Sequence, residues 1–378
     1  MSGYGEIGRM GPRIFRSGFV LIFLLLIIVP GEAQIARYSK VPQVLLNPFI
    51  SLGLGADDAG AGAAAQQCPE PVSPVIDLEP VGYYIDKRAT TIDPALLAEN
   101  RRQVRPLNDF IAQVEAQTAR MFLADGAEAA GAAACAIRLL DSWASNGALL
   151  GASNMQGNGH RRWAANALAV DFLIATSVPF REKEAVDRVR SWLARVGDLL
   201  IETIGSSKNN HRYWTAAALS ATAIASGNRR HFEWALTAMS DGLDEVDMQG
   251  ALPREMARGS RALSYHAFSL TPLLQVILFA KRNDVQLSEK EVSAVQRLAH
   301  FIFKNARDPS GLERKTQAVQ EWDPSKTYAN AWIYIYLSVF SDCELYRYIR
   351  ARGVDEVYPY LGGNVVRMYP LSREKECG

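Results

Sequence analysis

A nine-residue segment, His160-Arg161-Arg162-Trp163-Ala164-Ala165-Asn166-Ala167-Leu168, returns 51 residues later as His211-Arg212-Tyr213-Trp214-Thr215-Ala216-Ala217-Ala218-Leu219. One more step of 51 from Trp214 falls on Tyr265, again within an apolar stretch. About 50 residues is the length of one antiparallel helix pair, and repeated pairs build solenoids or closed α/α toroids. Such a ring gathers the starts of its inner helices around one concave face, so a groove there draws residues from several repeats.

The rest of the chain fits this plan. Asp93-Pro94 sets an N-cap before a proline at the first helical position and opens a segment running to Leu123. Apolar residues recur at helical spacing over roughly 127–146, 160–177, 181–204, 210–226, 228–244, 260–282, 288–305 and 327–341. Gly205, Gly227 and Gly311 fall between these segments as stops. No strand-rich block intervenes, although Pro69 to Thr91 reads as extended. The expected fold class is all-α, an α/α toroid of antiparallel helix pairs.

Arg9, Arg13 and Arg16 precede an apolar run from Phe19 to Val29, followed by Pro30-Gly31-Glu32-Ala33. That is the layout of a secretory signal cut after Ala33, and the run is shorter than the ~20 residues a membrane span needs. The expected organisation is a signal peptide over 1–33, a flexible Gly/Ala-rich lead-in over 34–67 and a folded body over 68–378. Export to a periplasm-like compartment follows as an expectation. Losing three of the 41 basic and two of the 40 acidic residues leaves 38 of each. A mature chain with no net charge is no global polycation, which argues against nucleic-acid binding by bulk charge. A polyanion must be held by a local cluster of arginines.

In an oxidising compartment Cys68, Cys135, Cys343 and Cys377 can form disulfides. Three pairings are open; Cys68–Cys135 with Cys343–Cys377 is the expected one, since each bond ties a terminal segment to the body. No CxxC or Cys/His spacing points to zinc, and neither a metal nor another cofactor is expected.

Two segments carry chemistry. Lys208-Asn209-Asn210-His211-Arg212-Tyr213-Trp214 opens a helix with two amides and an imidazole beside aromatic rings. Leu252-Pro253-Arg254-Glu255-Met256-Ala257-Arg258-Gly259-Ser260-Arg261-Ala262-Leu263-Ser264-Tyr265-His266 puts three arginines just before a Tyr-His pair. Each residue alone is more often a cap, a core ring or a solvated charge; the combination at repeat positions is what singles them out.

Together, Asn209-Asn210-His211-Arg212-Tyr213-Trp214 and Arg258 with Arg261-Ala262-Leu263-Ser264-Tyr265-His266 resemble the alginate lyases of polysaccharide lyase family five. Thr91-Ile92-Asp93-Pro94, Asp141-Ser142-Trp143-Ala144 and Leu361-Gly362-Gly363 extend the resemblance. It implies a periplasmic α/α toroid cleaving a polyuronate, foremost mannuronate-rich alginate, by β-elimination. It assigns Asn210 and Arg258 to neutralising the substrate carboxylate, Tyr265 to protonating the leaving oxygen and taking the C5 proton, and His211 to proton transfer or carboxylate stabilisation. Trp214 would offer a face to a sugar ring, Lys87 would lie on a loop over the groove, and Arg254 and Arg261 would add binding charge. Arg212 stands where the family more often has serine, and with Arg254 it opens the identity of the polymer. Arg258 and Tyr265 are seven residues apart, about 10 Å along a continuous helix, so they meet only by side-chain reach or if the helix begins after Arg258.

Two other functions fit parts of the sequence. A toroidal glycoside hydrolase would need two carboxylates, for which Glu255, Asp141 and Asp323 are candidates, none of them paired in a motif. A non-catalytic polysaccharide-binding component of an export system would use the groove and arginines without needing the histidine and tyrosine.

Overall fold

The computed structural model describes residues 41–54, 68–86, 89–124, 126–178, 183–353, 356–371 and 377. The signal segment and most of the expected lead-in lie outside them. The helices, in chain order, are α1 (Pro94–Met121), α2 (Gly126–Ser145), α3 (Met155–Ala175), α4 (Lys183–Ile204), α5 (Asn210–Ser226), α6 (Arg229–Asp244), the short α7 (Pro253–Met256), α8 (Ala262–Arg282), α9 (Glu289–Arg307), α10 (Ser310–Thr316), α11 (Thr327–Val339), α12 (Cys343–Arg352) and α13 (Val365–Met368). Strands β1 (Val357–Tyr358) and β2 (Gly363–Asn364) form one small antiparallel hairpin.

The helices alternate between an inner and an outer layer. α3, α5 and α8 are buried nearly all round along most of their length, α3 with several polar groups among its buried residues. α4, α6 and α9 each bury one stripe and turn a charged face outward. Successive inner helices α1, α3, α5, α8 and α11 pack side by side, each backed by its outer partner. This is the α/α toroid. Alanines line the α3–α5 contact, where Ala164, Ala165, Ala167, Ala216, Ala217 and Ala218 are fully or almost fully buried, so the backbones can approach closely.

The repeat has a geometric meaning. Trp163 on α3, Trp214 on α5 and Tyr265 on α8 all bring their rings to Phe268, with centroids 6.0, 5.1 and 6.1 Å away. The step of 51 residues thus carries each repeat's aromatic to one point at the starts of the inner helices.

Part of the expected lead-in belongs to the core. Val41, Leu45 and Phe49 are buried, and the Phe49 and Phe279 rings meet edge to face with centroids 6.1 Å apart. Asn283 accepts from the Leu46 amide through Oδ1, and Asn47 Nδ2 donates to the Leu173 carbonyl. These anchors lie more than a hundred residues away, which is why local composition did not reveal them. The folded body therefore includes 41–54, ahead of Cys68. Both expected disulfides are present, Cys68–Cys135 and Cys343–Cys377.

Candidate active site

A groove of about 1270 Å³ lies at the starts of the inner helices. Asn210, His211, Arg258, Arg261 and Tyr265 all line it. Their convergence depends on how α8 begins. Glycine at 259 has φ +59 and starts a tight turn over Gly259–Arg261, after which α8 runs from Ala262. Arg258 therefore sits before the helix, and its guanidinium carbon stands 4.5 Å from the Tyr265 ring centroid. Arg261 covers the same ring at 5.1 Å. The helix that begins after Arg258 resolves the seven-residue separation.

The two asparagines do different work. Asn209 caps α5, its side chain accepting from the His211 amide. Asn210, buried behind the cap, donates its backbone N–H and its amide Nδ2 to Glu255 Oε1 at 3.2 and 3.4 Å. Glu255 is 1% exposed and also accepts from Ser269 Oγ and, through Oε2, from Arg258 Nε. Burial outweighs these donors and raises its pKa. One buried carboxyl thus fixes both Asn210 and Arg258. That leaves Glu255 with no free path to act as a hydrolytic acid. Asp141 is an ion-pair partner of Arg188, and Asp323 lies on the groove rim capping Ser325. The carboxylate pair of a hydrolase is not assembled from these three.

His211 Nδ1 lies 2.6 Å from Arg162 Nη1. Guanidinium has no acceptor, so it donates and the imidazole proton is assigned to Nε2. Burial first, then the charges of Arg162 and Arg258, push the His211 pKa down to about 3. Tyr265 Oη is 3.0 Å from Tyr84 Oη, and Tyr84 accepts from Arg261 Nη1. Burial and then Tyr84 raise the Tyr265 pKa above the ordinary phenol value, against the opposing pull of Arg261 and Arg258. At rest Tyr265 is a neutral phenol.

Tyr84 is held by a strap. An antiparallel bridge joins Tyr84 to Ile92, and Asp86 accepts the Thr90 and Thr91 amides inside the loop. From the opposite end of the chain, the β1–β2 hairpin brings in Tyr358 and Tyr360. Gly362 and Gly363 have φ +82 and +105, and a side chain at 362 would strike Val170, so two glycines let this turn lie flat on α3. Asn166 Nδ2 secures it by donating to the Tyr360 carbonyl.

Three expectations need correction. Trp214 does not offer a face to a sugar: it is fully buried, packed by Phe268, Tyr358 and Tyr360. Trp163, stacked on Tyr360 at 4.8 Å, and Trp322 line the groove instead. Arg254 does not line the groove; it pairs with Glu245. Arg212 pairs with Asp241 and covers Trp234 at 4.8 Å, so it braces α6 and adds no charge to the groove lining. Lys87 lies outside the described residues, although Asp86 and Ala89 beside it line the groove. Sequence reasoning missed Arg162 and Tyr84. Arg162 stood inside the repeated segment, and Tyr84 in the extended stretch; nothing local marked either as a partner of a residue 49 or 181 positions on.

An all-α toroid with an arginine-rich, aromatic groove at its helix starts is a scaffold for handling an anionic polysaccharide. The alginate lyase family profile matches residues 77–312. A polysaccharide lyase of Stenotrophomonas maltophilia is 30% identical over 82% of this chain and 92% of its own length. An alginate lyase of Azotobacter vinelandii is 34% identical over 68% of this chain and 72% of its own. Among solved structures, alginate lyase A1-III from Sphingomonas species A1 superposes with a TM-score of 0.65 at 19% identity, covering 89% of this chain and 93% of that one. The protein is a polysaccharide lyase. It belongs to the alginate lyase family.

Proposed function

We propose that this lyase cleaves mannuronate-rich alginate by β-elimination, leaving 4,5-unsaturated uronate ends, with Asn210, His211, Arg258 and Tyr265 at the reacting sugar. The observation that carries the reading is the Tyr265 hydroxyl, held under two guanidiniums in one groove with an amide and a neutral imidazole. The relatives named as alginate lyases support the choice of polymer.

In β-elimination the C5 proton leaves, its electron pair moves onto the carboxylate as an enolate, and the C4–O bond then breaks as the C4–C5 double bond forms. The first step is prohibitive unless the carboxylate charge is neutralised where the enolate develops. Arg258 brings a permanent charge and paired donors, and Asn210 an amide donor. Glu255 keeps both in place before substrate arrives. Arg162 fixes His211 as an Nε2–H donor, so His211 adds a third hydrogen bond to the carboxylate and does not take the C5 proton.

That proton goes to Tyr265. Before it can act as a base the resting phenol gives up its proton to solvent, and Arg258 and Arg261 stabilise the anion that forms. Tyr84, whose oxygen already accepts from Arg261, can donate a hydrogen bond to the Tyr265 oxygen and so steady that anion. Tyr265 then returns a proton to the departing O4, and no external acid is consumed. Trp322 and Tyr360, both partly exposed at the groove, supply apolar surface for neighbouring sugar rings.

The reading includes export, with the signal removed after Ala33 to leave 345 of the 378 residues. The two disulfides support an oxidising destination. The test is ultraviolet absorbance of the unsaturated product. The mature chain, with chelator present, is offered polymannuronate, polyguluronate, glucuronan and hyaluronan. The fastest rise is expected on polymannuronate. A faster rise on glucuronan would move the proposal to another polyuronate, and flat traces on all four from folded protein would leave a polysaccharide-binding component.

A further inference from the structure

A second cleft, of about 630 Å³, lies outside the groove, between the outer helix α9 and the short helix α10. Arg297, His300 and Lys304 line it from α9, and Arg314 and Lys315 from α10; Asp308 is the only carboxylate among the lining residues. The three α9 residues follow one another at helical spacing on one face, spanning about 10 Å from Arg297 to Lys304. His300 is hydrogen-bonded to Asp342, and Arg297 to the Asp247 carbonyl and Ser293. Among the described residues, Lys304, Arg314 and Lys315 meet no carboxylate at ion-pair distance, and all three are exposed. Some arginines elsewhere on the surface find carboxylate partners, as Arg102 does in Glu99, Arg188 in Asp141 and Arg307 in Glu344.

Arg314 and Lys304 feel Asp308, but the cleft's cations outnumber that one carboxylate, and excess positive charge in a concavity focuses the local field and concentrates anions there. The cleft is also tied to the catalytic turn. Gln320 donates its backbone N–H to Glu313 and its side-chain amide to Thr316 Oγ1, both on α10, and the same amide donates to the Gly259 carbonyl. Its Oε1 accepts from the Leu263 amide at the start of α8. The helix that floors the cleft and the turn that carries Arg258 and Arg261 are thus joined by one side chain.

We propose that this cleft is an accessory binding site for the anionic polysaccharide, holding an outlying stretch of a long polyuronate while another stretch occupies the groove. The inference rests on the polyuronate reading above. Its ligand is a row of carboxylates on a flexible chain, which the row on α9 and the two cations on α10 can meet without the shaped pocket that a single sugar requires. Binding is predominantly electrostatic and weak per contact, so it acts on long chains and fades with salt.

The experiment compares the wild-type mature chain with the triple variant Lys304→Gln, Arg314→Gln and Lys315→Gln. Initial rates are measured on a mannuronate tetrasaccharide and on long polymannuronate, over a series of salt concentrations. The variant should match wild type in kcat and KM on the tetrasaccharide. On the polymer its KM should rise about fivefold at low salt and converge with wild type at high salt. An unchanged KM on the polymer overturns the proposal, and so does an equal rise on both substrates. If wild type makes no product at all, the lyase reading fails separately. Elution from immobilised polymannuronate then decides the cleft: release of the variant at lower salt supports it, and co-elution with wild type overturns it.

Discussion

The bond between Arg162 and His211 bears on how the imidazole acts. A guanidinium donating to Nδ1 leaves Nε2–H as the group available to a substrate, and burial with two flanking cations keeps the ring neutral down to about pH 3. If His211 serves as a donor, an amide of similar reach can replace it in part, whereas a base cannot be replaced so. His211→Gln is therefore expected to keep roughly a tenth or more of the wild-type kcat/KM on polymannuronate, a loss near 1.4 kcal/mol or less. His211→Phe should fall at least a hundredfold further, because a buried Arg162 is then left unpaired and the carboxylate loses a donor. Equal inactivity of both variants in steady-state rates would return His211 to the role of base. Tyr265→Phe should abolish product while leaving tetrasaccharide binding, measured by titration calorimetry, within a few-fold of wild type. Most of this site was legible in the sequence, because Asn210, His211, Arg258 and Tyr265 sit in short distinctive motifs. Arg162, Tyr84 and Glu255 were not read as their partners, since each acts across the fold. The burial of Trp214 was equally hidden: a tryptophan at a repeat position reads the same whether its ring faces the groove or the neighbouring helix.

At the level of elements, helix positions followed from the 3.6-residue period, because amphipathic outer helices and apolar inner ones both announce themselves in one dimension. What escaped were the pieces whose order is imposed from afar: residues 41–54, anchored by Asn283 and the Leu173 carbonyl, and the β1–β2 hairpin, seated on α3 by Gly362 and Asn166. The start of α3 shows how such a contact constrains a helix. Residues Leu78 and Ser153 form a parallel bridge, and a side chain on Gly157, one turn into the helix, would run into the Leu78 carbonyl. Gly→Ala inside a helix ordinarily stabilises by up to about 1 kcal/mol. Here the sign should reverse, with Gly157→Ala costing roughly 1–3 kcal/mol through forced backbone displacement. Gly311→Ala, in α10 with only Arg314 Nη2 nearby at 3.9 Å, is the control and should be neutral or slightly stabilising. Denaturant midpoints of the two variants test this, and an unchanged Gly157→Ala midpoint would mean that the Leu78 segment yields freely. Because that segment leads into the strap carrying Tyr84, Gly157→Ala should also lower kcat on polymannuronate.

For the whole molecule, two disulfides close loops of 67 and 34 residues, each contributing roughly 3–5 kcal/mol by restricting the unfolded chain. Charge inside the toroid works the other way. Asp171 on α3 is fully buried, accepts from Thr118 Oγ1 through Oδ1, and has no partner for Oδ2. Glu115 on α1 faces it, with Oε1 likewise unpartnered. Gly363 of the C-terminal turn packs beside the Glu115 side chain, which also borders the groove. Burial raises Glu115 to about 8, while burial and then the charge of Glu115 raise Asp171 well above its ordinary value. Both groups hold protons in the folded state that they release on unfolding. Stability contributed by the pair is therefore present at low pH, near the ordinary carboxyl pKa, and is lost as pH rises toward about 8. Asp171→Asn removes one charge from the pair, keeps an oxygen for Thr118 and offers an N–H to Glu115. Near pH 5 the variant should melt within a few degrees of wild type, since both acids are then largely protonated. Near pH 9 it should melt higher than wild type, because only wild type must then either ionise Asp171 beside Glu115 or hold its proton at the expense of folding. Thermal midpoints across this range measure the gap directly. A gap that stays constant with pH would mean that Asp171 and Glu115 ionise freely in the folded protein.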